Sequence, residues 1–239
     1  MYNDFYNDNI SNALENINEN INKNINSDIV NEKHILASII SNGISLEKAN
    51  TIVEKLYYNF YNLHNIVNAS EKELSKVKGL NSKKINLIRS IPSILEYYLL
   101  SSLKIASPHI KKKDLINYLI ISLGKLKFEA FSVICLDINK RFISSEQIFR
   151  GTIDSATIYP RDLVEKSLSV GASYVIISHN HPSGISKPSK EDIKITEVLY
   201  KAFKMVDIEM LDHIIVAGNS SYSFKEDSMF EKYRHNAEV

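Results

Sequence analysis

The residues best suited to chemistry lie in the run SHNHPSGISKPSKED, from Ser178 to Asp192. His179 and His181 follow the apolar run Tyr174 to Ile177. Residues i and i+2 of a strand face the same side, so both imidazoles converge where such a strand ends. Neutral imidazole nitrogens with a carboxylate oxygen, here from Asp192, are also the ligands of a zinc site that keeps one position open for water. A plainer description fits the same residues. Pro182, Gly184 and Pro188 mark a turn-rich loop, and Ser189 with Asp192 suits a helix cap, neither of which needs a metal.

Hydrolysis at such a centre needs a Lewis acid, a base that takes a proton from water, and a donor for the developing oxyanion. Glu129 is the base candidate, because it stands at the edge of an otherwise apolar strand; taken alone it reads first as an ordinary edge carboxylate.

Composition bounds the rest. The chain has 239 residues, 44% hydrophobic and 24% charged, enough for one large domain or a small one joined to one of ordinary size. Its 29 Lys and Arg against 28 Asp and Glu give a formal charge of +1 and no global electrostatic case for nucleic acid, although a local patch is invisible in a total. The single cysteine, Cys135, excludes an intrachain disulfide framework; within Phe131 to Leu136 it reads as a buried small hydrophobe. The start MYNDFYNDNI lacks the basic and apolar regions of a secretory signal, and no apolar run reaches the length of a membrane span. A cytoplasmic protein without a membrane partner is expected.

The elements that must position these groups follow in order. Residues 1–28 are Asn-rich, suited to a frayed helix or a tail. Helical spacing then recurs through Leu46, Ala49, Ile52, Val53 and Leu56, with Ser45 as cap, and Ser70 with Glu73 forms a capping box. The turn Lys78-Gly79-Leu80-Asn81 leads into a further helix, in the manner of a helix-hairpin-helix. Such a turn offers backbone N–H groups to phosphate, and Lys78, Lys83 and Lys84 are the candidate nucleic-acid contacts. Asn81 stands where the second hairpin glycine is usual, and the same lysines also suit a plain solvated face.

Residues 101–113 turn Ser-rich and then basic, which suggests a linker. Asp114 is expected to cap a helix over Leu115 to Leu123 that ends at Gly124. Phe128 to Leu136 and Arg141 to Phe149 read as a hairpin, 151–159 as a third extended segment, and Arg161 to Ser169 as a helix with Val164 and Leu168 on one face. After the histidine loop come a helix from Ser189, a strand from His213 to Val216 and a turn from Asn219 to Tyr222. This order implies a mixed α/β fold.

From about Phe128 to Phe230 the chain resembles the JAB1/MPN/JAMM superfamily, specifically its RadC-like branch, once called DNA repair proteins. The resemblance rests on FEAFSVICLD, GTIDSATIYPRDLVEKSL, SHNHPSGISKPSKEDI and MLDHIIVAG. The superfamily signature is an upstream Glu, then His-x-His, then Ser after seven residues and Asp after two more; Glu129, His179, His181, Ser189 and Asp192 occupy those positions. The resemblance implies one zinc ion held by His179, His181 and Asp192 with water completing the shell, proton transfer by Glu129, and oxyanion support from Ser189. It also implies amide hydrolysis of metalloprotease type on a peptide or protein substrate that the motif does not name. Asn180 and Ser183 are expected to hold the loop, Asp212 and His213 to make core or ligand-supporting hydrogen bonds, and Asp154 and Arg161 to anchor loops or meet substrate. His213 is not expected to be a fourth ligand, which would close the position that water needs.

The resemblance extends over residues 30–100, where RadC-like proteins carry a helix-hairpin-helix. The expected organisation is a tail at 1–28, a helical domain at 29–100, a linker at 101–113, an MPN domain with a mixed sheet and flanking helices at 114–230, and a polar tail at 231–239. Beside the zinc hydrolase stand two other readings: a DNA-associated protein that binds through the helical domain, and a non-catalytic MPN scaffold.

Overall fold

The computed structural model describes residues 28–105, 110–148, 159–228 and 230, with backbone alone at 149–150. Residues 1–27 of the expected tail at 1–28, residues 151–158 of the expected extended segment at 151–159, with Asp154, and the C-terminal tail at 231–239 lie outside the described residues. The chain divides into two compact units, Met1–Ser93 and Ile94–Val239. Among the described residues, no helix is long and apolar enough to cross a membrane.

Among the described residues, the regular structure of the first unit is all helical. It contains α1 (28–40), α2 (Leu46–Phe60), α3 (Leu63–Asn68), α4 (Glu71–Leu74) and the start of α5 (Ser82–Ile105). Leu36, Ile40, Ile52, Val53, Leu56, Ile66, Leu74 and Ile88 form its core. Side chains close the helix starts: Ser45 accepts from Lys48 N, Asn62 from Asn65 N, and Ser70 with Glu73 forms the expected capping box. Each such cap contributes about 1 kcal/mol. At the hairpin, Gly79 has φ +108°, and an added Cβ would lie 2.8 Å from Ile52 Cγ1. Asn81 does not take a left-handed backbone; it caps α5 by accepting from Lys84 N at 3.0 Å.

The second unit is a mixed α/β domain in which α6 (Lys112–Leu123), α7 (Pro160–Ser169) and α8 (Lys190–Lys204) flank a five-stranded sheet. The strands β1 (Ala130–Leu136), β2 (Phe142–Arg150), β3 (Tyr174–Asn180), β4 (Glu209–Ala217) and β5 (Ser220–Ser223) lie in the order β2-β1-β3-β4-β5. Only the β3–β4 pair is parallel, with α8 as its crossover. Strand alternation separates two cores. Phe131, Val133, Cys135, Val175, Ile177 and Ile215 share one cluster with Leu163 of α7 and Ile195, Leu199 and Phe203 of α8. Ile134, Leu136, Ile176, Ile214 and Val216 share another with Leu103 of α5 and Leu115 and Leu119 of α6.

Several expectations shift. Helix α5 continues through Ile105 and α6 starts at Lys112, so helix enters the expected linker at 101–113 from both ends. Leu99, Leu100 and Leu103 give the end of α5 an apolar face, which outweighs its serines. Asp114 lies in the first turn of α6 rather than at its cap, and Lys111 holds the cap position without a side-chain bond. On α7 the buried residues are Leu163 and Ser167, while Leu168 is exposed. Within the expected turn Asn219 to Tyr222, Ser220 to Tyr222 instead belong to β5, which pairs with β4.

Gly124 ends α6 where two backbone carbonyls approach: an added Cβ would lie 2.6 Å from Ile120 O and 2.8 Å from Gly218 O. Backbone atoms cannot rotate away as a side chain can. Gly124→Ala is therefore expected to destabilise the domain by about 1–3 kcal/mol, read as a lower urea midpoint at unchanged slope.

Candidate metal centre

The central strand β3 pairs with β1 on one side and β4 on the other, and its end carries the two histidines. His179 lies within β3 opposite Phe131, and His181 follows the strand, held by its N–H donating to Val216 O at 2.8 Å. Asp192 reaches the same point from the first turn of α8. His179 Nε2 is 3.0 Å from His181 Nε2 and 3.1 Å from Asp192 Oδ1, and His181 Nε2 is 3.3 Å from Asp192 Oδ2. One ligand atom from each residue falls within 4.8 Å of the other two, so the cluster could hold a metal ion.

The capping and ligand descriptions of Ser189 and Asp192 hold together. Asp192 N donates to Ser189 Oγ at 3.0 Å, while Ser189 N and Ser189 Oγ both donate to Asp192 Oδ2 at 2.7 Å. The other oxygen, Oδ1, faces His179. The hydroxyl hydrogen of Ser189 is thus directed at Asp192, and it must turn to reach an oxyanion.

Electrostatics follow from burial and proximity. Burial tends to raise the Asp192 carboxyl, but its contacts with His179 and His181 outweigh that and hold it well below the usual carboxylate range. Those contacts raise His181, whereas burial lowers His179 and lowers His213 strongly. His181 Nδ1 lies 2.7 Å from the carbonyl oxygen of Ile185. A carbonyl only accepts, so Nδ1 carries the hydrogen and a neutral His181 has its lone pair on Nε2, toward the cluster.

Glu129 immediately precedes β1 and lines a cleft of about 460 Å³ with His181, Ser183, Ile185, Lys187, Ser189, Glu191 and Asp192. Its backbone is held from both sides by Asn180, the residue between the two histidines. Asn180 Oδ1 accepts from Ala130 N at 2.7 Å, and Nδ2 donates to Phe128 O at 3.0 Å and Leu126 O at 3.3 Å. Asn180 therefore holds the Glu129 segment rather than the histidine loop. Ser183 accepts from Ile185 N within that loop.

His213 makes the ligand-supporting contact expected of it, and Thr196 is the neighbour that the sequence reading did not single out. His213 Nε2 lies 2.8 Å from His179 Nδ1, and His213 Nδ1 lies 2.6 Å from Thr196 Oγ1. Thr196 is four residues beyond Asp192, a helical spacing that places it over the ligand, and this was the only signal available. Asp212 points elsewhere, accepting from Ser223 Oγ, Lys225 N and His213 N. Arg161 is exposed, pairs with Asp162 and lies over the Tyr159 ring.

In the helical unit, Lys78 and Lys83 are exposed. Lys84 departs from its group: it is 6% exposed and its Nζ donates to Asn42 O at 3.2 Å, which fixes it inside the unit.

A five-stranded mixed sheet between helices, with two histidines at the end of its central strand and an aspartate from the following helix, defines an MPN-like α/β domain with a candidate metal cluster. Residues 109–229 match the RadC-like JAB domain family. The chain is 34% identical over 202 residues to a UPF0758 protein of Janthinobacterium sp. (strain Marseille), covering 83% of this chain and 88% of the relative. It is 34% identical over 197 residues to a UPF0758 protein of Pseudoalteromonas translucida, covering 82% and 88%. The chain belongs to the RadC-like JAB domain family.

Proposed function

We propose that the chain is a zinc-dependent hydrolase that cleaves an amide bond in a peptide or protein, with residues 114–230 as the hydrolase domain and 29–100 as a helical accessory domain. The observation that carries this reading is the convergence of His179, His181 and Asp192 beside a cleft that Glu129 and Ser189 also line. Two imidazoles and one carboxylate fit zinc by donor chemistry, and a three-residue set leaves room for water. When bound, the ion supplies Lewis acidity, making water nucleophilic near neutral pH and polarising a carbonyl.

The remaining work falls to the protein. Glu129 accepts the proton from water and returns it to the leaving nitrogen. Ser189 donates to the developing oxyanion once its hydroxyl turns from Asp192 Oδ2, a contact of 2.7 Å. Asn180 keeps Glu129 facing the cleft by holding the backbone on both sides of it. The test pairs metal uptake with hydrolysis of a peptide library. Stoichiometric zinc with metal-dependent cleavage supports the reading; stoichiometric zinc without cleavage leaves a metal-bound scaffold.

The exposed Lys78 and Lys83 on either side of Gly79 favour a second reading, DNA contact through the hairpin. Neutralising both is expected to reduce the slope of log affinity against log salt by about one per lysine. Replacing Lys84 should instead cost stability. DNA affinity unmoved by Lys78→Gln and Lys83→Gln contradicts this reading.

A further inference from the structure

Behind the three-residue cluster the buried polar atoms form one continuous chain. Thr196 Oγ1 lies 2.5 Å from the carbonyl oxygen of Asp192 and 2.6 Å from His213 Nδ1, and His213 Nε2 lies 2.8 Å from His179 Nδ1. Thr196, His213 and His179 are all 0% exposed. The rings are fixed by packing as well: His179 stacks on Phe131 at 5.6 Å between centroids, and His213 on Phe224 at 5.0 Å.

The proton positions follow from the acceptor at one end. A carbonyl oxygen brings no hydrogen, so the hydrogen toward Asp192 O belongs to the Thr196 hydroxyl. A hydroxyl has only one hydrogen, so between Thr196 Oγ1 and His213 it is His213 Nδ1 that donates. A buried, neutral His213 then has its lone pair on Nε2, and His179 Nδ1 must donate to it. His179 is left with its own lone pair on Nε2, the atom 3.0 Å from His181 Nε2 and 3.1 Å from Asp192 Oδ1.

We propose that Thr196 and His213 are positioning residues that set the tautomer of His179, so that this buried ring presents Nε2 as an electron-pair donor to a divalent transition-metal ion. The proposal rests on the ligand reading of His179, His181 and Asp192. It gives His213 a role as a neighbour of a ligand, since its Nε2 is occupied by His179 Nδ1. Asp192 stands at both ends of the chain: its carbonyl fixes the first proton, and its carboxylate oxygen and the final lone pair are two acceptors 3.1 Å apart that a cation between them satisfies. A partner that orients a ligating imidazole typically accounts for about 10–100-fold in metal affinity.

Thr196→Val replaces the hydroxyl by a methyl of similar size, and Thr196→Ser restores it. Zinc titration of the metal-free protein against a chromophoric chelator should show Thr196→Val weakened about 10–100-fold and Thr196→Ser within about threefold of wild type. Histidine ¹⁵N spectra of the zinc-free protein give a reading independent of the metal: His179 should be protonated on Nδ1 in wild type and shift toward the Nε2–H form in Thr196→Val. Should Thr196→Val fail to fold, His213→Leu removes the acceptor directly and carries the same expectation for affinity. Wild-type affinity in either folded variant, or a wild-type His179 protonated on Nε2, overturns the proposal. A wild-type protein that takes up no zinc contradicts the ligand reading instead, and the spectra still decide the tautomer.

Discussion

Glu129→Gln is expected to leave zinc uptake unchanged while lowering amide hydrolysis by about 10²–10⁴-fold, the range for losing a positioned general base. Glutamine matches glutamate in shape but cannot take a proton from water. The segment should stay in place, because Asn180 holds it through the backbone of Phe128 and Ala130 rather than through the carboxylate. Measuring zinc content and turnover on the same preparation separates the outcomes. Loss of zinc would make Glu129 a ligand, and unchanged turnover would assign the base elsewhere.

Asp192→Ala should have two effects, because one side chain serves two structures. Its carboxylate faces both imidazoles, and zinc affinity is expected to fall by at least about 100-fold when a ligand of a three-residue set is removed. It also closes the capping box of α8, whose loss costs about 1 kcal/mol. Asp192→Asn separates them, since an amide oxygen still accepts from Ser189 while the negative charge is gone. Acid stability gives a further readout. The folded-state carboxyl is held below its ordinary range, so its ionised form stabilises the fold at neutral pH, and that contribution fades as pH falls through and below the usual carboxylate range. Asp192→Asn should flatten this acid limb in urea midpoints measured against pH. An unchanged limb would mean that other carboxylates set it.

The parts of the centre legible in the sequence are those fixed by local geometry. Strand parity brings His179 and His181 together, and the spacing of Ser189 and Asp192 is that of a helix cap. Cap and ligand are alternatives in the sequence, yet one carboxylate meets both: Oδ2 takes the capping bonds from Ser189 and lies 3.3 Å from His181 Nε2, while Oδ1 faces His179. What stayed hidden depends on pairing between distant strands. His213 reaches His179 because β4 runs parallel to β3 with a register shift between Val175 and Ile176, where Met210 and Asp212 are the successive partners. A slip of one residue would have sent Asp212 to the histidine face instead. The grip of Asn180 on Glu129 likewise spans 50 residues of sequence, from Ala130 to Asn180. β5 escaped notice because a short Ser-rich run has little strand propensity of its own and is stabilised by pairing with β4. Lys84 looked like part of a basic surface, and only the packed helices show its contact with Asn42.

The measurement that bears most directly on the metal centre is the metal content per chain of protein purified without added zinc, with His179→Ala and Asp192→Ala prepared alongside. About one zinc per wild-type chain, lost in both variants, is expected for a site built from His179, His181 and Asp192. A wild-type protein that neither carries zinc nor takes it up from a zinc buffer would contradict a metal centre here and favour an MPN scaffold. Equal zinc in all three proteins would place the ion on other residues.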